Sequence, residues 1–166
     1  AAAEHALSSA SNGASASAEH LAAATRDLRT LLDRTDGERP WVIRDELGAS
    51  MLDNFGVYRY PDRMEQQLDV IQRLRERYEH VIVDDKGEVF NTDLTQAIEL
   101  GYMLDLAWAM VQAGLAREES RGSHSRPADF PERDDERFLR HSLTHWTDEG
   151  PALSYKEVRM TKWKPE

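Results

Sequence analysis

The 166-residue sequence contains no cysteine. That excludes a disulfide, a thiolate nucleophile, and an iron–sulfur cluster held by the usual four cysteines. It also lacks any apolar run approaching the roughly 20 residues that span a bilayer. Positive charge is in short supply, with 21 Lys and Arg against 31 Asp and Glu and a formal net charge of −10. A surface of that sign argues against nucleic acid or anionic lipid as partner, because both require basic groups that displace counterions from phosphate. Dinucleotide-binding, phosphate-loop and nucleophile-elbow motifs are absent too, so neither a nucleotide cradle nor an acyl-transfer centre is visible. What is present, 40% hydrophobic and 31% charged residues, suits one globular domain with an apolar core and a small appendage.

Ala1 to Leu7 (AAAEHAL) reads as the last turns of a helix whose beginning lies upstream, and Ser8 to Ser17 as a small-residue linker, which sets a domain boundary at residue 17. From Ala18, Leu21, Ala24, Leu28 and Leu31 recur on one stripe of an amphipathic helix ending near Thr35 to Gly37. Pro40 opens a second helix with Ile43, Leu47, Met51 and Phe55 on one face, and Pro61 opens a third with the seam Met64, Leu68, Ile71, Leu74, Tyr78 and Val81. The run Arg73 to Arg77 reads as a solvated face. Asp84 to Gly87 reads as a turn. Asp93 with Gln96 resembles a capping box and starts the longest helix, Leu94 to about Glu119, with the seam Leu94, Ala97, Gly101, Leu104, Trp108, Val111 and Leu115.

These stripes predict a mainly α chain, an antiparallel three-helix bundle over residues 18–119. Ser120 to Asp135 is too polar to form a core element and must be held by other parts of the protein. After a helical turn around Glu136 to Arg140, Leu153 to Met160 alternates with period two and can pair with His141 to Thr147 as a hairpin through the turn Asp148 to Pro151. Residues 120–166 are therefore expected as an extended polar segment with short strands.

His124, His141 and His145, with Asp129, Asp134 and Asp135, offer groups for a divalent metal and, through it, for a small hydrolase, although no complete ligand motif is present. Histidines hydrogen-bonded to backbone or carboxylate are the plainer reading, and no metal site is assigned. Arg117, Arg121, Arg126 and Arg133 stand among Glu118, Glu119, Asp129, Glu132, Asp134 and Asp135. They could bind a dicarboxylate. The excess of acids favours mutual Arg–carboxylate pairs that pin an irregular segment.

Ala116 to Arg126 (AREESRGSHSR), followed by Asp129 to Asp135 (DFPERDD), resembles the A-R-x-E-S-R-G-x-H-x-R and D-x-P-x-R-D-D signature of succinate dehydrogenase and fumarate reductase flavoproteins. Ile43 to Leu47, Met51 to Val57, Phe90 to Leu94, Glu99 to Leu106, and Tyr155 to Pro165 support it in family order, from about Ala18 to Glu166. One residue is added at Pro127-Ala128. L-aspartate oxidases share part of the signature but fit the R-D-D continuation less well, and a free-standing helical interaction module is the alternative from another class.

The resemblance implies a subunit that interconverts succinate and fumarate with FAD and passes electrons to an iron–sulfur subunit. It places the flavin and every catalytic residue outside this segment, which alone is expected to be inactive. It also implies a location on the inner face of the bacterial cell membrane, reached only indirectly through partner subunits. The expected role here is packing against the flavin-binding domain of the same subunit and near the iron–sulfur subunit. Arg117, Glu119, Ser120, Arg121, Gly122, His124, Arg126, Asp129, Arg133, Asp134 and Asp135 are its candidate residues.

Overall fold

The computed structural model describes residues 18–162, so the readings for Ala1 to Ser17 and for the last four residues fall outside the described residues. Among the described residues five helices and a hairpin follow one another: α1 (Ala18–Asp33), α2 (Pro40–Asn54), α3 (Pro61–Tyr78), α4 (Thr92–Ala116), α5 (Asp135–Phe138), β1 (Arg140–Thr147) and β2 (Gly150–Glu157). The chain is mainly helical, and α2, α3 and α4 form the bundle.

Proline sets two of the helix starts. Pro40 and Pro61 each occupy the first turn, where the missing N–H costs nothing and the fixed φ is already helical. Ile43, Leu47, Met64, Ile71, Leu74, Leu100, Leu104 and Val111 then interlock as the core. Each such side chain contributes roughly 1.5–3 kcal/mol by leaving water. Gln67 is buried among them, a polar residue that the apolar pattern does not mark. Its amide is satisfied on both sides, accepting from Asn54 Nδ2 at 3.0 Å and donating to Ser50 Oγ at 3.0 Å, which ties α3 to α2.

Several expectations are corrected. The helix α1 forms, yet none of its residues is buried, and Leu21 is 66% exposed. Three helices already close the core, so the α1 stripe faces an open groove of about 740 Å³ against α3 and α4, with only Leu31 packed at the core edge. The third helix stops at Tyr78. Val81 is buried instead through a short parallel bridge to Glu38.

Asn91, not Asp93, caps α4, its Oδ1 accepting from Leu94 N at 2.8 Å. The Asp93 carboxylate is occupied by the backbone N–H groups of Asp84 and Asp85 at 2.6 and 3.2 Å. The α4 seam includes Leu100, Ala107 and Gly114, each one residue before an expected position, and the helix ends at Ala116 rather than Glu119.

In the antiparallel hairpin Thr147 pairs with Gly150 across the two-residue turn Asp148-Glu149, so Gly150 and Pro151 belong to the strand and Val158 to Met160 do not. Trp108 explains this. A Cβ on Gly150 would lie 2.4 Å from Trp108 Cη2, and Gly150 has φ +108°, so only glycine lets the strand start against that ring. Trp146 meets Trp108 edge-to-face at 5.6 Å, which fixes the hairpin on α4.

Candidate functional site

The polar segment after α4 has little apolar surface, so its shape depends on charge-assisted hydrogen bonds. Glu119 is at its centre, with 0% of its surface exposed. Its carboxylate accepts from Arg121 Nε and Nη2, both at 2.9 Å, from Arg117 Nη1, and from the Asp134 backbone N–H at 3.0 Å. Burial alone would push this carboxyl up. The bonds from Arg121, Asp134 and Arg117 outweigh it and hold the group below the usual carboxylate range. Arg117 reaches on to the carbonyls of Phe138 and Arg140 at 3.0 and 2.8 Å, which ties the end of α4 to the start of the hairpin.

A second buried charge lies beside the first. Arg126, 3% exposed, pairs with Asp129 through both Nε and Nη2, while its Nη1 donates to the Leu115 and Arg117 carbonyls at 2.8 and 3.2 Å. Those carbonyls are orphan acceptors at a helix C-terminus, and a guanidinium satisfies them. Ser120 Oγ accepts from Arg126 N and donates to Phe130 O, both at 2.8 Å. The added residue at Pro127-Ala128 falls in the exposed turn between the bridged pair Arg126 and Phe130, where a longer loop disturbs nothing.

His124 links this segment to the bundle. Its Nε2 lies 3.0 Å from the Arg117 carbonyl, an acceptor, so Nε2 carries the proton. Nδ1 is therefore the lone pair that accepts from Arg59 Nη1 at 2.5 Å. Burial lowers the imidazole pKa, the Arg117 carbonyl raises it less, and the charges of Arg59, Arg126 and Arg117 lower it further, so the ring is neutral. Arg59 also stacks over Phe55 at 3.9 Å, and burial lowers its own pKa. Gly114 makes room for that stack, since a Cβ there would come within 2.6 Å of Phe55 Cε2. Backbone bonds from Arg59 N to Ser125 O at 2.7 Å and from Ser125 N to Val57 O at 3.1 Å zip the α2–α3 connection to the tail.

Of the expected packing residues, Arg117, Glu119, Ser120, Arg121, His124, Arg126, Asp129 and Asp134 form this connected cluster. Asp135 and Arg133 sit at its rim, 3.2 Å apart, with Asp135 also 2.5 Å from Arg121. Gly122 is exposed at the tip of the turn between Arg121 and His124, with φ +58°. The four arginines considered for a dicarboxylate each have an internal carboxylate partner. Arg59 and Gly114, both essential to the geometry, carry no local signal. Only the pairing of the connection with the tail reveals them.

Among the described residues no group of three or more His, Asp or Glu is placed to hold a metal ion. The imidazole of His124 is spent on Arg59 and Arg117, and His145 Nε2 lies 3.0 Å from Ser154 Oγ. Dinucleotides sit where a glycine-rich turn joins a parallel strand to a helix N-terminus, whereas the sheet among the described residues is an antiparallel hairpin. No described helix is long and apolar enough to cross a membrane.

The helical bundle, pinned tail and closing hairpin match the C-terminal domain of flavoprotein reductases, as the comparisons with known proteins show. Residues 44–166 match the family model described as fumarate reductase flavoprotein C-term. The fumarate reductase flavoprotein subunit of Proteus vulgaris is 41% identical over 168 residues, covering 98% of this chain and 28% of its own length. A chain of E. coli quinol fumarate reductase superposes with a TM-score of 0.85 at 39% identity, over 96% of this chain and 28% of that one. A chain of Mycobacterium smegmatis Sdh1, solved in complex with UQ1, gives 0.72 at 29% identity, over 83% and 24%. The chain belongs to the succinate dehydrogenase and fumarate reductase flavoprotein family, as its C-terminal region. It spans about a quarter of the length of these relatives.

Proposed function

We propose that this chain is the structural and assembly region of the flavoprotein subunit of an enzyme that interconverts succinate and fumarate. In that subunit FAD and the reacting groups lie outside these residues, and electrons pass from the flavin to an iron–sulfur subunit. The segment alone has no redox or hydride chemistry. Residues 18–119 are the helical region, in which α2, α3 and α4 form the bundle, and residues 120–166 are the docked polar tail, with residues 1–17 leading in from the flavin-binding domain. The subunit sits on the inner face of the bacterial cell membrane, held there by its partner subunits.

The buried Glu119 network is the observation that carries the packing role. Four charged or N–H donors converge on one fully buried carboxylate, an arrangement that fixes a segment's shape. A rigid segment of that kind suits a docking surface, since a preformed surface loses less entropy on association. Substitution of Arg121 or His124 in the intact subunit should weaken its stability or its complex with partner subunits before any change in flavin chemistry. Native gels, flavin content and succinate-dependent dye reduction check this together. Normal assembly and stability in both variants would defeat the packing role.

A further inference from the structure

Beside the Glu119 cluster, a shallow recess of about 440 Å³ opens between α4, the α2–α3 connection and the start of β1. Arg59, Arg117, His124, Arg140, His141 and Ser142 line one side of it, and no Asp or Glu does. That is unusual in a chain with ten more acids than bases. Arg117 has Glu119 as its counter-ion. Arg59 and Arg140 are half-buried and lie within ion-pair distance of no described carboxylate. Arg140 is held in place by stacking, 3.8 Å over Tyr155, and its Nε is a buried donor without an acceptor. A buried N–H donor that has neither water nor an acceptor is costly, and the cost disappears when an acceptor such as a carboxylate closes over it.

The apolar rim shows what kind of anion fits. Met110 lines the recess while 53% exposed, and Leu106 continues the same α4 face one turn earlier at 62%. Sites for small molecules enclose most of the ligand. This one is open and flanked by unpartnered hydrophobic side chains, a pattern that fits a protein surface. We infer that the recess is a docking site for an Asp or Glu side chain carried on the flavin-bearing part of the same polypeptide, with apolar neighbours that cover Leu106 and Met110. This rests on the assembly reading above. The same polypeptide is the favoured source because covalent connection supplies a high effective concentration. Charge complementarity supplies the specificity.

The experiment is chemical footprinting of the intact flavin-bearing subunit within its complex. Phenylglyoxal modification is followed by peptide mass spectrometry. Arg140 should react about tenfold more slowly than the exposed Arg26, the factor expected when one charge-assisted hydrogen bond must break first. In the Arg140→Gln subunit, carbodiimide labelling should newly reveal one carboxylate outside residues 1–166 of the same polypeptide. Arg140 reacting as fast as Arg26, with no carboxylate unmasked, would overturn the inference while leaving the assembly reading intact. So would protection of Arg140 that appears only on adding succinate, or an unmasked carboxylate on the iron–sulfur subunit. Absence of any larger flavin-bearing subunit is the separate result that removes the assembly reading itself.

Discussion

Removing the charge of Glu119 should destabilise the protein far more than removing the same charge one residue earlier. Glu119→Gln keeps the shape and leaves Arg117 and Arg121 without the carboxylate they share. Breaking a buried ion pair from one side costs about 3–5 kcal/mol. The guanidinium side chains here are 17% and 27% exposed, so water recovers part of that, and about 3 kcal/mol is expected. For a chain of this size, that corresponds to a fall in melting temperature of roughly 6–12 °C. Glu118→Gln is the matched control, since Glu118 pairs with Arg137 at the surface and water replaces the lost contact. Urea unfolding followed by circular dichroism at pH 7 compares the two. Equal, small shifts would refute the claim that Glu119 organises the tail. The carboxyl's lowered pKa adds a signature: its contribution is present above the unfolded value and lost as pH falls through the folded one, so wild type should lose more stability than Glu119→Gln in that acid range.

His124 acts in a different window. Its folded pKa lies below the ordinary 6.5, so the unfolded chain binds the extra proton first, and stability should fall as pH drops below about 6.5. His124→Gln should flatten that slope in urea titrations between pH 7 and 5, and an unchanged slope would remove the neutral-ring assignment. Gly150→Ala places a Cβ against Trp108 at a left-handed φ and should cost about 1–3 kcal/mol, visible as a lower unfolding midpoint and altered near-ultraviolet tryptophan dichroism. Asn91→Ala should cost about 1 kcal/mol by uncapping α4, whereas Gln96→Ala, outside the observed cap, should leave the midpoint in place.

Local physics written into neighbouring residues was legible in the sequence. Pro40 and Pro61 announced two helix starts, three-and-four spacing announced the apolar faces, and period-two alternation announced a hairpin strand. The ends of elements were less legible because tertiary contacts decide them. Asp93 is followed by Gln96 as a capping residue would be, but its carboxylate binds the preceding turn, and the role passes to Asn91. Gly150 looked like a turn residue until Trp108 showed why a strand begins there. The helix α1 has an amphipathic stripe like the others, and no local pattern shows that the core is already closed without it. In the site, the tail residues were visible as a motif. Their partners Arg59 and Gly114 come from distant elements and depend on a pairing that only three dimensions supply.

The most direct test of the central claim is an immunoblot of lysate from the source organism with antibody to this chain, read beside in-gel flavin fluorescence after denaturation. A band several times heavier than 19.0 kDa that coincides with flavin fluorescence is the predicted result. A single band at 19.0 kDa without flavin would contradict the account and leave the bundle as an interaction module that the cell uses alone.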